Sequence, residues 1–285
     1  MELQLSNIRK EYKKDKLMRN TISENPFEQF ACWLNDALHC GEDEPTAMSV
    51  ATVAPDGRPS TRTVLLKGVE NGRFIFYTNY ESRKGQQLAD NPYISLSFVW
   101  HKLERQIHIE GKAEKCPPKD SDAYFSTRPY KSKIGARISP QSRIINNRTE
   151  IIRAFVKEAI KLTGQRIQRP GNWGGFSVTP TRFEFWQGRE NRLHDRFLYT
   201  LCKEEHIPSS SSPESDGWRI VRLAPCPGLP HRTKQPPRKT TVLSGNFYVS
   251  KDVHVFGMMC YIGCRTGITR FQYIVNDTRF TFACN

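Results

Sequence analysis

Two dipeptides, Asp56-Gly57 and Asn71-Gly72, lie between short alternating apolar runs, and they constrain this chain more than any other feature. A residue followed by Gly permits positive φ, and hence a tight turn whose twist matches that of paired strands. AMSVATVA before Asp56-Gly57 and STRTVLLKG after it therefore read as strand, turn, strand. RFIFYTN follows Asn71-Gly72. YISLSFVW (93–100) and RQIHIEGKAEK (105–115) continue the pattern, Ile107 and Ile109 alternating with Gln106 and His108. After Pro170, the segments GGFSVTP, RFEFWQG, DRFLYT and GWRIVRL are also strand-like. Helical spacing occurs in PFEQFACWLNDALHC (26–40), with Phe27, Phe30, Ala31, Leu34 and Leu38 on one side and Pro26 suited to the first turn. Shorter helices are expected over 82–90, 120–127 and 149–161. Hairpin-spaced strands with a few flanking helices predict a mainly β chain built as an antiparallel barrel rather than a parallel sheet.

Three regions separate along the chain. Residues 1–25 are polar and charged, a mobile arm by composition. Residues 26–225 hold the strand pattern, interrupted by SSSSPESDG (209–217), a flexible loop between the last two strands. From Cys226 the Pro-rich, basic CPGLPHRTKQPPRK reads as a linker, and 240–285 is strand-prone without hairpin logic. The 285 residues suffice for a sizeable core, and their 37% hydrophobic and 25% charged content is that of a globular protein. The net charge of +14 favours anionic partners without choosing among nucleic acid, membrane and phosphorylated small molecules. The N-terminus lacks the apolar segment of a secretory signal. The longest uncharged apolar stretch, near Val253 to Cys264, is far short of the ~20 residues needed to span a bilayer. A cytoplasmic location with reduced cysteines is the expectation.

Three segments carry candidate chemistry. Ser82 is suited to cap a helix, which places Arg83 and Lys84 in a first turn where the helix dipole disfavours cations. A bound anion would account for that, and so would a solvated charged turn. Arg62-Thr63-Val64-Leu65-Leu66-Lys67 puts Arg62, Val64 and Leu66 on one strand face and Thr63, Leu65 and Lys67 on the other. An Arg at one end and a Lys at the other suit two separate phosphates, or are two exposed charges. The densest stretch runs from Phe185 to Arg196, where a polar loop holds Arg189, Arg192, His194 and two acids between strands. His194 suits acid–base chemistry and Arg192 suits stabilisation of negative charge. A salt-bridged hairpin loop is the plainer alternative.

RTVLLKG, FYTNYESRKGQQLADNP, ERQIHIEGKAEK, YFSTRPYKSKIGARISPQS, NWGGF, FWQGRENRLHDRFLY and RIVRLAP together resemble the pyridoxine/pyridoxamine 5′-phosphate oxidase family, in the family's order, from about Ile8 to Pro225. The resemblance implies an FMN-binding split β-barrel working as a homodimer, with FMN between the subunits. It implies oxidation of pyridoxamine or pyridoxine 5′-phosphate to pyridoxal 5′-phosphate, with O2 as acceptor and H2O2 released. By that likeness Arg62, Thr63, Val64, Leu65, Leu66, Lys67, Tyr77, Thr78, Arg83, Lys84 and Gln106 hold FMN. Gln141, Ser142, Trp186 and Arg196 complete that site from the second subunit. Lys67, Tyr124, Arg128 and Ser132 take the substrate phosphate. Arg192, Leu193 and His194 hold the pyridine ring and reacting carbon, Arg192 and His194 being the catalytic pair. Arg9, Lys10, Glu11 and Tyr12 form an arm over the bound substrate.

The family's chain normally stops at the equivalent of Pro225, so 226–285 is an atypical extension with no catalytic part. His254, Cys260, Cys264 and Cys284 match no standard zinc spacing, and no metal is expected. A non-catalytic split-barrel protein binding FMN or pyridoxal phosphate is the alternative. The Arg192-Leu193-His194 run and the second phosphate set at 124–132 speak against it, since a binding-only module would not need both. Nucleic acid is not an expected partner, because no exposed face interleaves aromatic with basic residues.

Overall fold

The computed structural model describes residues 5, 10–202, 217–225, 260–262, 269–275 and 278–284. Contacts divide the chain into two units, Met1–Pro230 and His231–Asn285.

The first unit opens with α1 (Pro26–His39), whose Asn25 side chain accepts the Phe27 N–H as N-cap. Phe30, Trp33 and Ala37 form its buried stripe. Strands β1 (Ala47–Val53) and β2 (Pro59–Leu65) pair in antiparallel register, Val50 opposite Arg62 and Thr52 opposite Ser60. β3 (Gly68–Glu70) and β4 (Arg73–Asn79) form the hairpin that Asn71-Gly72 requires, both turn residues having positive φ, 50° and 69°. Then follow α2 (Arg83–Asp90), β5 (Tyr93–Trp100), β6 (Arg105–Lys115), α3 (Pro118–Thr127), α4 (Tyr130–Ile138) and α5 (Arg148–Lys161). β7 (Trp173–Gln187), β8 (Asp195–Leu201) and β9 (Trp218–Arg222) complete the unit.

The strand order is β2-β1-β5-β6-β7-β4-β3, with β8 on β7 and β9 on β8. β2 and β3 are successive pieces of one extended stretch. Leu66 N–H donates to Thr46 O, and the next amide, Lys67 N–H, donates to Ile75 O, each at 2.8 Å. Two neighbouring residues thus bond to the two opposite ends of the strand order, and the sheet curls onto itself as an antiparallel split barrel. Its interior is filled by Phe74, Phe76, Phe98, Phe183, Phe185 and Tyr199, and α1 closes it with Phe30 and Trp33. A smaller core of Phe125, Ile134, Leu162, Ile167 and Trp173 lies under α3 to α5.

Two features differ from the sequence reading. GGFSVTP and RFEFWQG are one 15-residue strand running through Pro180. Proline has no N–H for a ladder, and the strand survives it because the pairing with β6 shifts register between Glu110 and Gly111, beside Pro180. The helix α4 was absent from the sequence reading altogether. The polar segment before α1 lies along the sheet over its described part. Glu104 accepts the Lys13 and Lys14 amides at 2.8 and 3.1 Å, Arg105 reaches Asp15 at 2.7 Å, and Tyr199 donates to Ser23 O at 2.7 Å.

The second unit has a three-stranded antiparallel sheet in the order β10 (Cys260–Ile262), β11 (Thr269–Val275), β12 (Thr278–Cys284). His254, Cys264 and the loop residues 203–216 lie outside the described residues, as does Arg9. Among the described residues no helix is long and apolar enough to cross a membrane.

Candidate active site

A cleft of about 520 Å³ opens beside the seam of the barrel. Its walls are the 63–67 segment, the end of β4, the start of α2, one side of α3 and α4, and Trp173. At one end the backbone dictates an anion site. The Ser82 hydroxyl caps α2 by accepting Gly85 N–H at 3.3 Å, so the amides of the first turn face outward. Gly85 is required there, because a Cβ would lie 2.2 Å from Tyr80 O. Arg62, Arg83 and Lys84 gather around this turn, and no acidic residue occupies it. Arg62 donates to Thr52 Oγ1 at 2.6 Å, Val50 O at 3.2 Å and Ser60 Oγ at 2.7 Å. Lys84 is 6% exposed, and among the described residues its Nζ reaches neutral groups alone: Thr78 Oγ1 (2.8 Å), Gln141 Oε1 (3.2 Å) and Ser82 Oγ (3.3 Å). Burial, reinforced by Arg62, drops the Lys84 ammonium to about 8, and burial followed by Arg83 lowers Arg62. Three cations held together with no carboxylate beside them among the described residues suit an anion.

The cleft has a second cationic end. Arg128, Lys67, Tyr124 and Ser132 line it. Arg128 lies 4.5 Å over the Trp173 ring, and its buried Nη1 has no hydrogen-bond partner among the described residues. Tyr77 stacks on Tyr124 at 3.9 Å and on Trp173 at 5.4 Å, giving a flat aromatic wall. Burial pushes Tyr77 up to about 12 and also raises Tyr124, so both stay neutral phenols. Thr63, Val64, Leu65, Tyr77 and Thr78 share this cleft, whereas Leu66 points into the core at 5% exposure and has only its backbone to offer. Gln141, assigned by resemblance to a second subunit, lies against Lys84 and Thr78 of its own chain. Ser142 beside it is exposed, with φ of 72°.

The remaining expected residues form another cluster. Gln106, Trp186 and Arg196 are register partners on β6, β7 and β8, so they make one row across the sheet. The Arg196 guanidinium is held by Glu184 at 2.7 Å. Tyr12 meets Trp186 edge-on at 5.7 Å and His194 at 5.6 Å. Gly188 permits this, since a Cβ there would lie 2.8 Å from the Tyr12 ring. His194 Nδ1 accepts Arg189 N–H at 3.1 Å, which puts the proton of the neutral ring on Nε2. Burial and then Arg192 lower the His194 pKa, in agreement with a neutral ring. Asn191 and Arg192 both have positive φ, 54° and 61°, and Leu193 is 62% exposed. Two consecutive side-chain-bearing residues in the left-handed region are a strained turn, and it holds Arg192 outward. Lys10 and Glu11 are exposed beside Tyr12.

None of this hairpin cluster lines the cleft. Trp173 and Trp186 sit thirteen residues apart on the same strand, about 40 Å of extended chain. The expected residues therefore form two half-sites at opposite ends of β7. Sequence reasoning missed Trp173, Asn79 and Ser139 in the cleft, and Thr52, Ser60 and Gln87 behind Arg62. The Trp-Gly-Gly run was the one available signal for Trp173; the others became visible only through strand register.

Two family models match the chain. The family model described as pyridoxamine 5′-phosphate oxidase matches residues 34–160, and that described as pyridoxine 5′-phosphate oxidase C-terminal dimerisation region matches 173–225. The pyridoxine/pyridoxamine 5′-phosphate oxidase of Bacteroides thetaiotaomicron is 60% identical over 78% of this chain and 99% of its own. That of Chromobacterium violaceum is 48% identical over 79% of this chain and all of its own. Among solved structures, PhzG from Burkholderia lata in complex with tetrahydrophenazine-1-carboxylic acid aligns with a TM-score of 0.66 and 25% identity, over 75% of this chain and 100% of that one. A pyridoxamine 5′-phosphate oxidase-related, FMN binding protein from Nostoc punctiforme shares the fold at 0.52 and 17% identity, over 69% and 97%.

Proposed function

The chain belongs to the pyridoxine/pyridoxamine 5′-phosphate oxidase family, and on that premise we propose how two copies of it divide the work of one site. The enzyme oxidises pyridoxine or pyridoxamine 5′-phosphate to pyridoxal 5′-phosphate with FMN as cofactor, and the 173–225 region makes it a homodimer. The observation that carries the proposal is the single cleft with two cationic ends, neither of which has an acidic partner among the described residues. Arg62, Arg83, Lys84 and the first turn of α2 fit the FMN phosphate. Lys67, Arg128, Tyr124 and Ser132 fit the substrate phosphate, whose charge would satisfy the orphaned Arg128 Nη1. Two phosphates fixed at the two ends align the ligands in between.

The hairpin half-site enters from the other copy. Gln106, Trp186 and Arg196 of the partner subunit complete the FMN cavity with Gln141 and Ser142. Arg192 of the partner subunit, held outward by its left-handed turn, places a fixed positive charge beside the pyridine ring. His194 of the partner subunit offers Nε2–H as a donor to the substituent on the reacting carbon. Leu193 shields that carbon from water, and the segment from Arg9 to Tyr12 covers the bound substrate through the seat of Tyr12 on Gly188. Bound FMN supplies the acceptor for the hydride that leaves C4′. Dioxygen is the terminal acceptor and hydrogen peroxide the product; from the amine, hydrolysis of the imine gives the aldehyde and releases ammonia. Cys32, Cys40 and Cys116 are free thiols, in keeping with a cytoplasmic enzyme. Residues 226–285, beyond the matched region, have no part in the chemistry.

Subunit complementation tests the division. Lys84→Met disables the cleft and Arg192→Ala disables the hairpin, and each variant alone should be nearly inactive at limiting FMN. Random co-assembly makes half the dimers hybrid with one intact site each, so about a quarter of wild-type activity should return. A mixture as inactive as its components places both sets in one chain's site.

A further inference from the structure

We infer that Gln87 is a positioning residue for cofactor binding, acting on FMN through Arg62; this rests on the assignment of Arg62 to the FMN phosphate. Gln87 lies on α2, 4% exposed, and does not line the cleft. Its Oε1 takes two hydroxyl protons, from Thr52 Oγ1 at 2.6 Å and Ser60 Oγ at 2.8 Å. These are the hydroxyls that accept Arg62 Nη1 and Nη2, at 2.6 and 2.7 Å. Thr52 and Ser60 are register partners on β1 and β2, so one amide oxygen spans the strand pair beneath the guanidinium.

The direction of these bonds matters. A hydroxyl has one proton and two lone pairs. With its proton committed to Gln87, each hydroxyl turns a lone pair towards Arg62. The guanidinium, an obligate donor, is then fixed in its plane by two acceptors. The arrangement has a visible cost: Gln87 Nε2 is buried with no hydrogen-bond partner among the described residues. Turning the amide over would give Nε2 the hydroxyl oxygens but leave two hydroxyl protons without their acceptor. The opposite orientation would leave more buried groups unsatisfied than this one does. α2 thereby addresses the phosphate twice, with its first turn directly and with its second through Gln87 and the strand pair. A guanidinium held in one plane offers its free N–H groups to a phosphate without first losing rotamer freedom.

The test is a double-mutant cycle on FMN affinity, read by quenching of flavin fluorescence on titration into the full-length apoprotein. Gln87→Met keeps the length of the side chain and removes the acceptor. It should weaken FMN binding about tenfold, the size of one lost charge-assisted contact. In an Arg62→Ala background the same change should weaken FMN less than twofold, because the group it positions is gone. Ser60→Ala, on a half-exposed site of β2, is the companion should Gln87→Met not fold; it should weaken FMN about threefold, and again not in the Arg62→Ala background. Equal losses with and without Arg62, or no loss in either variant, overturn the role given to Gln87. An Arg62→Ala protein that binds FMN as tightly as wild type overturns instead the assignment of Arg62.

Discussion

Lys84→Met should make the protein without FMN more stable at neutral pH while making it a poorer FMN binder. In the fold the Lys84 ammonium is depressed from 10.5 to about 8. At about 1.4 kcal/mol per pH unit, keeping it charged at pH 7 costs roughly 3 kcal/mol of stability. Met retains the aliphatic stem and removes the charge, but it also removes hydrogen bonds to Thr78, Ser82 and Gln141, which return about 1–2 kcal/mol. The net gain is about 1–2 kcal/mol, or roughly 2–8 °C in Tm for a body of this size. The sign has a pH signature. Between about 8 and 10.5 the unfolded chain holds a proton on Lys84 that the folded chain has released, so wild-type stability gains on the variant as pH rises through that window. The Tm gap should therefore be widest below pH 8 and close towards pH 10.5. Adding FMN should reverse the order at pH 7, since a phosphate dianion supplies the charge that the ammonium lacks. Differential scanning fluorimetry of both proteins, with and without FMN from pH 7 to 10.5, reads all of this. An apo variant less stable than wild type at pH 7, or a gap indifferent to pH, would refute the reasoning.

Three further outcomes are expected. Arg192→Ala should lower kcat/KM by about a hundredfold or more with FMN affinity changed less than twofold, because Arg192 meets substrate alone; steady-state kinetics beside a flavin titration checks both. Arg128→Met should raise KM for the phosphorylated amine at least about tenfold and leave turnover of unphosphorylated pyridoxamine unchanged, since only the phosphate meets the guanidinium; equal losses on both substrates would remove Arg128 from the phosphate site. Gly85→Ala should weaken FMN binding and lower Tm by several degrees, about 1–3 kcal/mol, because the new methyl meets the Tyr80 carbonyl and α2 must shift; a variant with normal Tm and affinity would show that the helix start tolerates the movement.

The strands were legible where one face is buried and the other is not, as in Ile107 and Ile109 of β6. Asn71-Gly72 could be read to the residue, because both positions need positive φ. Pro180 misled, since the register shift that accommodates it lies on the neighbouring strand. Helix α4 was missed because a single residue, Ile134, is buried from it, which is too little to write a period into nine residues. In the site, the two cations at the start of α2 were a local contradiction and could be seen as such. That Arg128 Nη1 has no hydrogen-bond partner among the described residues could not, because it depends on which distant segments are brought near. The grouping of Gln106, Trp186 and Arg196 depends on β6, β7 and β8 lying side by side in one register, which only their pairing reveals.

The seam at Leu66 and Lys67 ties the lifetime of the closed ring to its cargo. Their two amides fasten opposite margins of the sheet, and the same few residues run between the two ends of the cleft proposed for the FMN phosphate and the substrate phosphate. Loss of the ligands leaves that short latch bridging clustered cations whose mutual repulsion pulls at it. Hydrogen exchange at these two amides should accordingly be faster in the FMN-free protein than in the loaded one, while the amides of β6 hardly change. Cofactor depletion in such a protein would first be felt as an unfastened margin, and only afterwards as a loss of the fold.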